Sequence, residues 1–159
     1  MFNLPNVKVV FFDFDNTLCV HTTYVNHDKD YRKEYGTDHY RRIKAYKSEI
    51  MQEFLDLLIE NDVELCLTSA TYEYCFDVKQ QWLKEQYGYD FKNYCVTRDA
   101  DKTTTICNYA LEYDIDLKDI LFVDDKADNL ITATAMDIPS CHPLEIAEFI
   151  YRRSGDGRV

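Results

Sequence analysis

Glycine and proline are scarce in this chain, with four glycines and three prolines among 159 residues. Because these residues mark turns and irregular segments, their scarcity indicates helices and strands joined by short connections. Basic residues are also few: 18 lysines and arginines face 29 aspartates and glutamates, which gives a formal net charge of -11. This balance argues against a general nucleic-acid-binding protein, which needs a broad basic surface.

The sequence also lacks cysteine pairs and long apolar runs. Its six cysteines are scattered without a CxxC pair, so neither a zinc site nor a disulfide framework is expected, and a reducing cytoplasm is the predicted location. The N-terminal apolar run stops at Asp13, too short for a signal peptide or a membrane span. We predict one soluble domain over 1–153, a flexible tail over 154–159, and a monomer or weak dimer that does not bind membranes.

Strands and helices are predicted to alternate along the chain. Apolar runs predict buried strands over 7–12, 63–68 and 120–123, with shorter ones over 94–97 and 138–141. Helical spacing predicts helices over 38–60, 71–87, 102–113, 126–136 and 143–152. This order predicts an α/β fold, a three-layer Rossmann-like parallel sheet with helices on both faces. The polar segment 19–37 is predicted to be a minimal cap, a short insertion after the first strand.

Polar side chains follow the predicted strands, at the sheet edge where open α/β proteins bind ligands. They comprise four carboxylates, a hydroxyl and a lysine: Asp13, Asp15, Ser69, Lys102, Asp124 and Asp125. Burying so many carboxylates together is unfavourable unless a cation neutralises them. Oxygen ligands favour a hard divalent ion, above all Mg²⁺.

These residue types suit phosphoryl transfer. One carboxylate can attack phosphorus and form an acyl phosphate, while an acid two residues on can protonate the leaving oxygen and then activate water. A lysine and a hydroxyl can stabilise charge on the phosphoryl oxygens. The turn at Asn16 and Thr17 can point backbone N–H groups at the phosphate.

Four segments resemble, in order, the four motifs of the haloacid dehalogenase superfamily. They are DFDNTL, LCLTSAT, DADKTTTI and FVDDKADN, and together they span nearly the whole chain. The last is of the DDxxxN kind, with Asn129 where the family often has an acid. Within the superfamily, the compact size and the Ser69-Ala70-Thr71 turn resemble the small magnesium-dependent phosphatases.

The resemblance implies a magnesium-dependent phosphomonoester hydrolase that acts through an aspartyl phosphate. It makes Asp13 the nucleophile and Asp15 the acid and base, with Ser69 and Lys102 holding phosphate oxygens. Asp124 would bind the metal directly or through water. The metal ligands it implies are Asp13, the main chain of Asp15, Asp124 and Asp125.

Two residue assignments stay open on the sequence alone. Thr68 rivals Ser69 if the second strand ends one residue earlier, and Arg98 rivals Lys102 at the third motif. The four histidines share no spacing, so we predict that all lie at the surface; they are His21, His27, His39 and His142.

Three other functions are weighed against phosphatase activity. A receiver domain has its acidic pair after the first strand and its accepting aspartate after a later one, which is the reverse of this order. A phosphomutase needs a larger cap than 19–37 supplies, because the cap must exclude water. A partner-binding protein could use the stretch 28–47, which contains seven basic residues and four acidic ones.

If the chain is an enzyme, the partner that we predict is a phosphorylated substrate of unknown size.

Overall fold

The computed structural model describes residues 4–21 and 31–156. Its core is a five-stranded parallel sheet that lies between two layers of helices. The strands are β1 (Val9–Phe12), β2 (Cys19–His21), β3 (Ala45–Lys47), β4 (Glu64–Leu67), β5 (Lys92–Asn93), β6 (Ile120–Val123) and β7 (Ser140–Cys141). The helices are α1 (Arg32–Tyr35), α2 (Asp38–Arg42), α3 (Glu49–Glu60), α4 (Phe76–Tyr87), α5 (Lys102–Glu112), α6 (Ala127–Ala135) and α7 (Pro143–Asp156). The α/β fold with a parallel sheet is therefore confirmed.

The strand order of the sheet, β5-β4-β1-β6-β7, places β1 at the centre. Both neighbours of β1 run parallel to it, and Phe12 pairs with Leu67 of β4 and with Val123 of β6. The three central strands therefore end at the same level. The residues that follow them lie side by side at the carboxyl edge, where open α/β sheets bind ligands.

Alternate side chains of the buried strands pack into two separate cores. On one face, Val10 and Phe12 join residues of α3, α4 and α7. On the other face, Val9 and Phe11 join residues of α5 and α6. Since both faces of β1 are covered, all four of its residues are buried, which explains the continuous apolar run in the sequence.

The predicted helix over 38–60 is wrong, because the structure divides this segment into α2, β3 and α3. Lys44 has a φ of +54°, a left-handed conformation that a right-handed helix does not contain. The next residues, Ala45–Lys47, pair antiparallel with Cys19–His21. Ser48 then caps α3, and its Oγ accepts a hydrogen bond from the N–H of Met51 at 3.3 Å.

Smaller differences concern strand and helix ends. The predicted strand over 94–97 is displaced to Lys92–Asn93, and only an isolated bridge joins Val96 to Ala70. The last helix runs on to Asp156, so residues 154–156 are helical rather than a flexible tail, and Ser154 Oγ donates to the Ile150 carbonyl at 3.0 Å. Within the described ranges, every helix is too short or too polar to cross a lipid bilayer.

Candidate active site

Two buried carboxylates share one lysine at the centre of the carboxyl edge. Asp13 follows β1, and its N–H donates to the carbonyl of Val123 at 2.9 Å, which holds it beside Asp124, the residue after β6. Lys102, the first residue of α5, donates from Nζ to Asp13 Oδ1 and to Asp124 Oδ2, both at 2.7 Å. Asp101 is the N-cap of this helix, because its side chain accepts a hydrogen bond from the N–H of Thr103. This cap fixes the start of the helix at Lys102.

Burial and the mixture of charges shift the pKa values of this group. Burial raises the pKa of Asp13 to about 7, with Lys102 opposing the rise and Asp124 adding to it. Burial alone would lower the pKa of Lys102, but the two carboxylates more than offset that effect and raise it. The lysine therefore stays charged, while the carboxylates around it leave an excess of negative charge that a further cation can neutralise.

Three carboxylates at this edge fit the oxygen ligand set of a divalent cation. Asp13, Asp124 and Asp125 can bring one oxygen each within 4.8 Å of the others. The Oδ1 atom of Asp125 is buried and has no hydrogen-bond partner among the residues that the structure describes. Asp124 is held in place because its oxygens accept from the Lys126 N–H at 2.8 Å and from Asn129 Nδ2 at 2.9 Å. A buried acceptor without a donor and a set of hard oxygen ligands together suit Mg²⁺.

Asp15 lies two residues after Asp13 and has two cationic or polar neighbours. Its Oδ1 is 2.8 Å from His21 Nε2, and its Oδ2 accepts from Lys79 Nζ at 2.9 Å. Burial raises the pKa of Asp15, but the hydrogen bond from His21 and the charge of Lys79 more than offset this and hold that pKa well below its usual range. Asp15 is therefore ionised when no substrate is present.

Lys79 and His21 are site residues that sequence reasoning missed. Lys79 is only 1% exposed, although it stands in the largely polar helix sequence FDVKQQWLKEQY. The available signal was its spacing, three and four residues before Trp82 and Leu83, which are buried on the same face of α4. His21 ends β2 and contacts Asp15 rather than lying free at the surface.

The other histidines divide between core and rim. His39 is buried, with 5% of its surface exposed, so its predicted surface position is also wrong. Its ring lies 5.2 Å from that of Tyr40, edge to face. His142 is half-buried and accepts from the N–H of Leu144, and His27 lies outside the described residues.

The two open assignments differ in what surrounds each candidate. Ser69 Oγ accepts from Lys79 Nζ at 2.7 Å, so it belongs to the same network as Asp15, whereas the buried Oγ1 of Thr68 has no partner in the described ranges. Lys102 contacts Asp13 directly. Arg98 instead donates to the hydroxyl of Tyr72 at 2.8 Å and lies over that ring.

In the turn after Asp13, two backbone N–H groups donate to carbonyls of the same turn. The N–H of Asn16 donates to the carbonyl of Cys19 at 2.8 Å, and the N–H of Thr17 donates to the carbonyl of Phe14 at 3.3 Å. Neither amide is available to a phosphate in this arrangement, because the turn closes on itself. The Oγ1 of Thr17 is buried without a hydrogen-bond partner among the described residues.

Helix α2, which directly follows the predicted cap 19–37, packs against this turn. Tyr40 of α2 lies 5.4 Å, ring to ring, from Phe14, which stands between the two motif aspartates. Arg41 and Arg42 both pair with Asp38, at 2.7 and 3.0 Å. Residues 22–30 of the predicted cap 19–37 lie outside the described residues.

No protein-family model matches this sequence, and no curated protein sequence matches it. Solved structures do match. A 3-deoxy-D-manno-octulosonate 8-phosphate phosphatase of Moraxella catarrhalis, in complex with magnesium, phosphate and the sugar acid, is 15% identical with a TM-score of 0.54, over 82% of this chain and 64% of that one. A haloacid dehalogenase-like hydrolase of Streptococcus pneumoniae is 13% identical with a TM-score of 0.55, and the match covers 85% of this chain and 83% of that one.

A third structure is the N-terminal part of a Bacteroides fragilis protein that contains a phosphatase domain complexed with Mg. It is 14% identical with a TM-score of 0.57, over 91% of this chain and 39% of that one. Three matched structures, the Moraxella phosphatase among them, are longer than this chain, which spans 64–66% of their length. These likenesses define the class of fold: the chain has the fold of the haloacid dehalogenase-like hydrolases.

Proposed function

We propose that this chain is a Mg²⁺-dependent phosphomonoester hydrolase that forms an aspartyl phosphate on Asp13. The observation that supports this most directly is the position of Asp13. Its carboxylate is buried at the carboxyl edge, bonded to Lys102, close to two further carboxylates, and two residues before Asp15. The fold shared with solved phosphatases supports the same reaction class.

In the first step, a carboxylate oxygen of Asp13 attacks phosphorus and the bond from phosphorus to the ester oxygen breaks. Asp15 donates a proton to the departing oxygen, which leaves as an alcohol. A phosphate group beside Asp15 raises the pKa of that carboxyl, because like charges disfavour its ionised form. Lys102, bonded to Asp13, lies where it can neutralise charge on the phosphoryl oxygens.

In the second step, water attacks the phosphorus of the aspartyl phosphate. Asp15, ionised after the first step, accepts the proton of that water. The bond from phosphorus to Asp13 breaks, inorganic phosphate leaves, and the Asp13 carboxylate is restored. One residue thus serves as acid and then as base, which balances the protons over the cycle.

The metal would be held by Asp13, Asp125, the main-chain carbonyl of Asp15, and Asp124 directly or through water. When bound, Mg²⁺ supplies positive charge that offsets the charge of the carboxylates and of the phosphate. The buried Oδ1 of Asp125, which lacks a partner among the described residues, supports this ligand set.

The test is hydrolysis of p-nitrophenyl phosphate with Mg²⁺ by the wild-type chain and by two variants. Asp13→Asn should lose turnover by at least about 10³-fold, as expected when a nucleophile is removed. Asp90→Asn is the matched control, because Asp90 is 88% exposed and pairs only with Lys84 among its described contacts. Near-wild-type turnover by Asp13→Asn would exclude Asp13 as the nucleophile, and no turnover by the wild-type chain on a broad panel of phosphate esters would exclude the function.

A further inference from the structure

Lys79 places a buried ammonium between two groups of the candidate active site. Its Nζ donates to Asp15 Oδ2 at 2.9 Å and to Ser69 Oγ at 2.7 Å, and it lies 4.9 Å from the centre of the Phe14 ring. The side chain is 1% exposed, whereas that of Asp15 is 43% exposed. The ammonium of Lys79 is therefore removed from water, and Asp15, Ser69 and the Phe14 ring provide its contacts.

The two hydrogen bonds fix how Ser69 and Asp15 can act. Because Ser69 Oγ accepts a hydrogen bond from the ammonium, the hydrogen of its hydroxyl is directed to another acceptor, and a phosphate oxygen is such an acceptor. Because Oδ2 of Asp15 accepts from Lys79 while Oδ1 contacts His21 at 2.8 Å, the plane of the carboxylate is held from both sides.

We infer that Lys79 is a positioning residue, whose ammonium orients the Asp15 carboxylate toward the leaving oxygen and the Ser69 hydroxyl toward the phosphate. The inference rests on the proposed function, since it assigns these two residues the roles given above. It adds a second lysine to the site: Lys102 serves the nucleophile Asp13, and Lys79 serves the acid and base. The two lysines reach the site from different helices, α5 and α4.

Lys79→Met tests the inference because methionine is unbranched and only one atom shorter than lysine, and it removes the charge and the donors. The matched control is Lys84→Met on the same helix, since Lys84 is 53% exposed and pairs with Asp90 at the surface. An alkyl phosphate needs a proton on its leaving oxygen and a p-nitrophenyl phosphate does not. We expect kcat of Lys79→Met on the alkyl phosphate to fall by about 10²-fold, which is the lower end of a general-acid contribution. The fall in kcat on the aryl phosphate should be at least ten times smaller.

A double-mutant cycle with Asp15→Asn separates positioning from a merely structural role. If Lys79 acts through Asp15, its loss should lower kcat on the alkyl phosphate much less in the Asp15→Asn background than in the wild type. Equal losses in both backgrounds, or equal losses on both substrates, would overturn the inference. Should Lys79→Met fail to fold, Lys79→Gln takes its place in the same cycle.

Binding of inorganic phosphate distinguishes failure of this inference from failure of the proposed function. With Mg²⁺ present, titration calorimetry should show at least tenfold weaker phosphate binding by Lys79→Met than by Lys84→Met, because the Ser69 hydroxyl loses its orientation. If the wild type hydrolyses no phosphate ester but Lys79→Met still weakens phosphate binding, the proposed function fails and the orientation of Ser69 stands. Equal phosphate affinities of the two variants overturn the inference, and no phosphate binding by the wild type overturns both.

Discussion

Replacing Lys102 by methionine removes the ammonium that lies 2.7 Å from both Asp13 and Asp124. The side chains of these carboxylates are 8% and 0% exposed, so water cannot take the place of the lysine. Breaking a buried ion pair by removing one partner lowers the free energy of unfolding by about 3–5 kcal/mol. For a chain of this size, each kcal/mol shifts Tm by about 2–4 °C, so Tm of the metal-free variant should fall by about 10 °C.

The pH dependence of this loss follows from Asp13. Burial raises the pKa of Asp13 to about 7 in the folded chain, and the charge of Lys102 limits that rise. The pKa of Asp13 is thus higher in the folded chain than in the unfolded chain. The stability that the protonated Asp13 contributes is therefore fully present below the ordinary pKa of aspartate and is lost as pH rises through about 7. Without Lys102 the pKa of Asp13 rises further, so the gap in Tm between wild type and variant should be larger at pH 8 than at pH 6.

Differential scanning calorimetry of metal-free protein measures these gaps, with Lys84→Met as the control. An exposed ion pair contributes about 0–1 kcal/mol, so the Tm of Lys84→Met should stay within a few degrees of wild type. Added Mg²⁺ should raise Tm more in Lys102→Met than in wild type, because the variant has lost a cation that repels the metal. If metal-free Lys102→Met had the same Tm as metal-free wild type, this account of Lys102 would be refuted. If Mg²⁺ raised Tm equally in the variant and in wild type, Lys102 would have no effect on metal binding.

Three further predictions concern the metal, the acid and the basic residues of α2. A chelator should abolish hydrolysis of an aryl phosphate and Mg²⁺ should restore it, whereas Ca²⁺ should inhibit because it takes more ligands at longer distances; undiminished activity in chelator contradicts the metal assignment. Asp15→Asn should retain Mg²⁺ affinity by calorimetry and slow alkyl phosphate hydrolysis by about 10²–10⁴-fold, and equal slowing of an aryl phosphate would argue against its role as the acid. Reversing Arg41 and Arg42 to Glu should raise KM for a large anionic substrate and flatten its salt dependence, with aryl phosphate turnover unchanged; equal losses on both substrates would indicate damage to α2.

The parts of the fold that local sequence determines were predictable. The strand Ile120–Val123 is buried on both faces, and its apolar run marks it without ambiguity. Gly88 ends α4 with a φ of +81°, as expected for glycine at a helix C-terminus. Since parallel strands share one carboxyl edge, the meeting of Asp13 with Asp124 also followed from the sequence order, whereas the choice of Lys102 over Arg98 did not.

Features that depend on distant pairing were not predictable from local pattern. Ala45–Lys47 forms a strand only because Cys19–His21 lies beside it, and its own residues fit the helical spacing of their neighbours equally well. Lys79 resembles a solvent-facing lysine in sequence, and only the packing of α4 beneath Asp15 buries it. His21 likewise becomes a site residue through the β2–β3 pairing, which no local signal indicates.

Detection of a phosphoryl group on Asp13 tests the central claim most directly. The chain is mixed with Mg²⁺ and p-nitrophenyl phosphate and quenched in acid within the first turnover, and its peptides are sequenced by mass spectrometry. We predict one added phosphoryl group on Asp13 that is lost in neutral hydroxylamine, and none in Asp13→Asn. Phosphate carried by another residue, or full turnover with unmodified Asp13 and no single-turnover burst of p-nitrophenol, would contradict the proposed reaction.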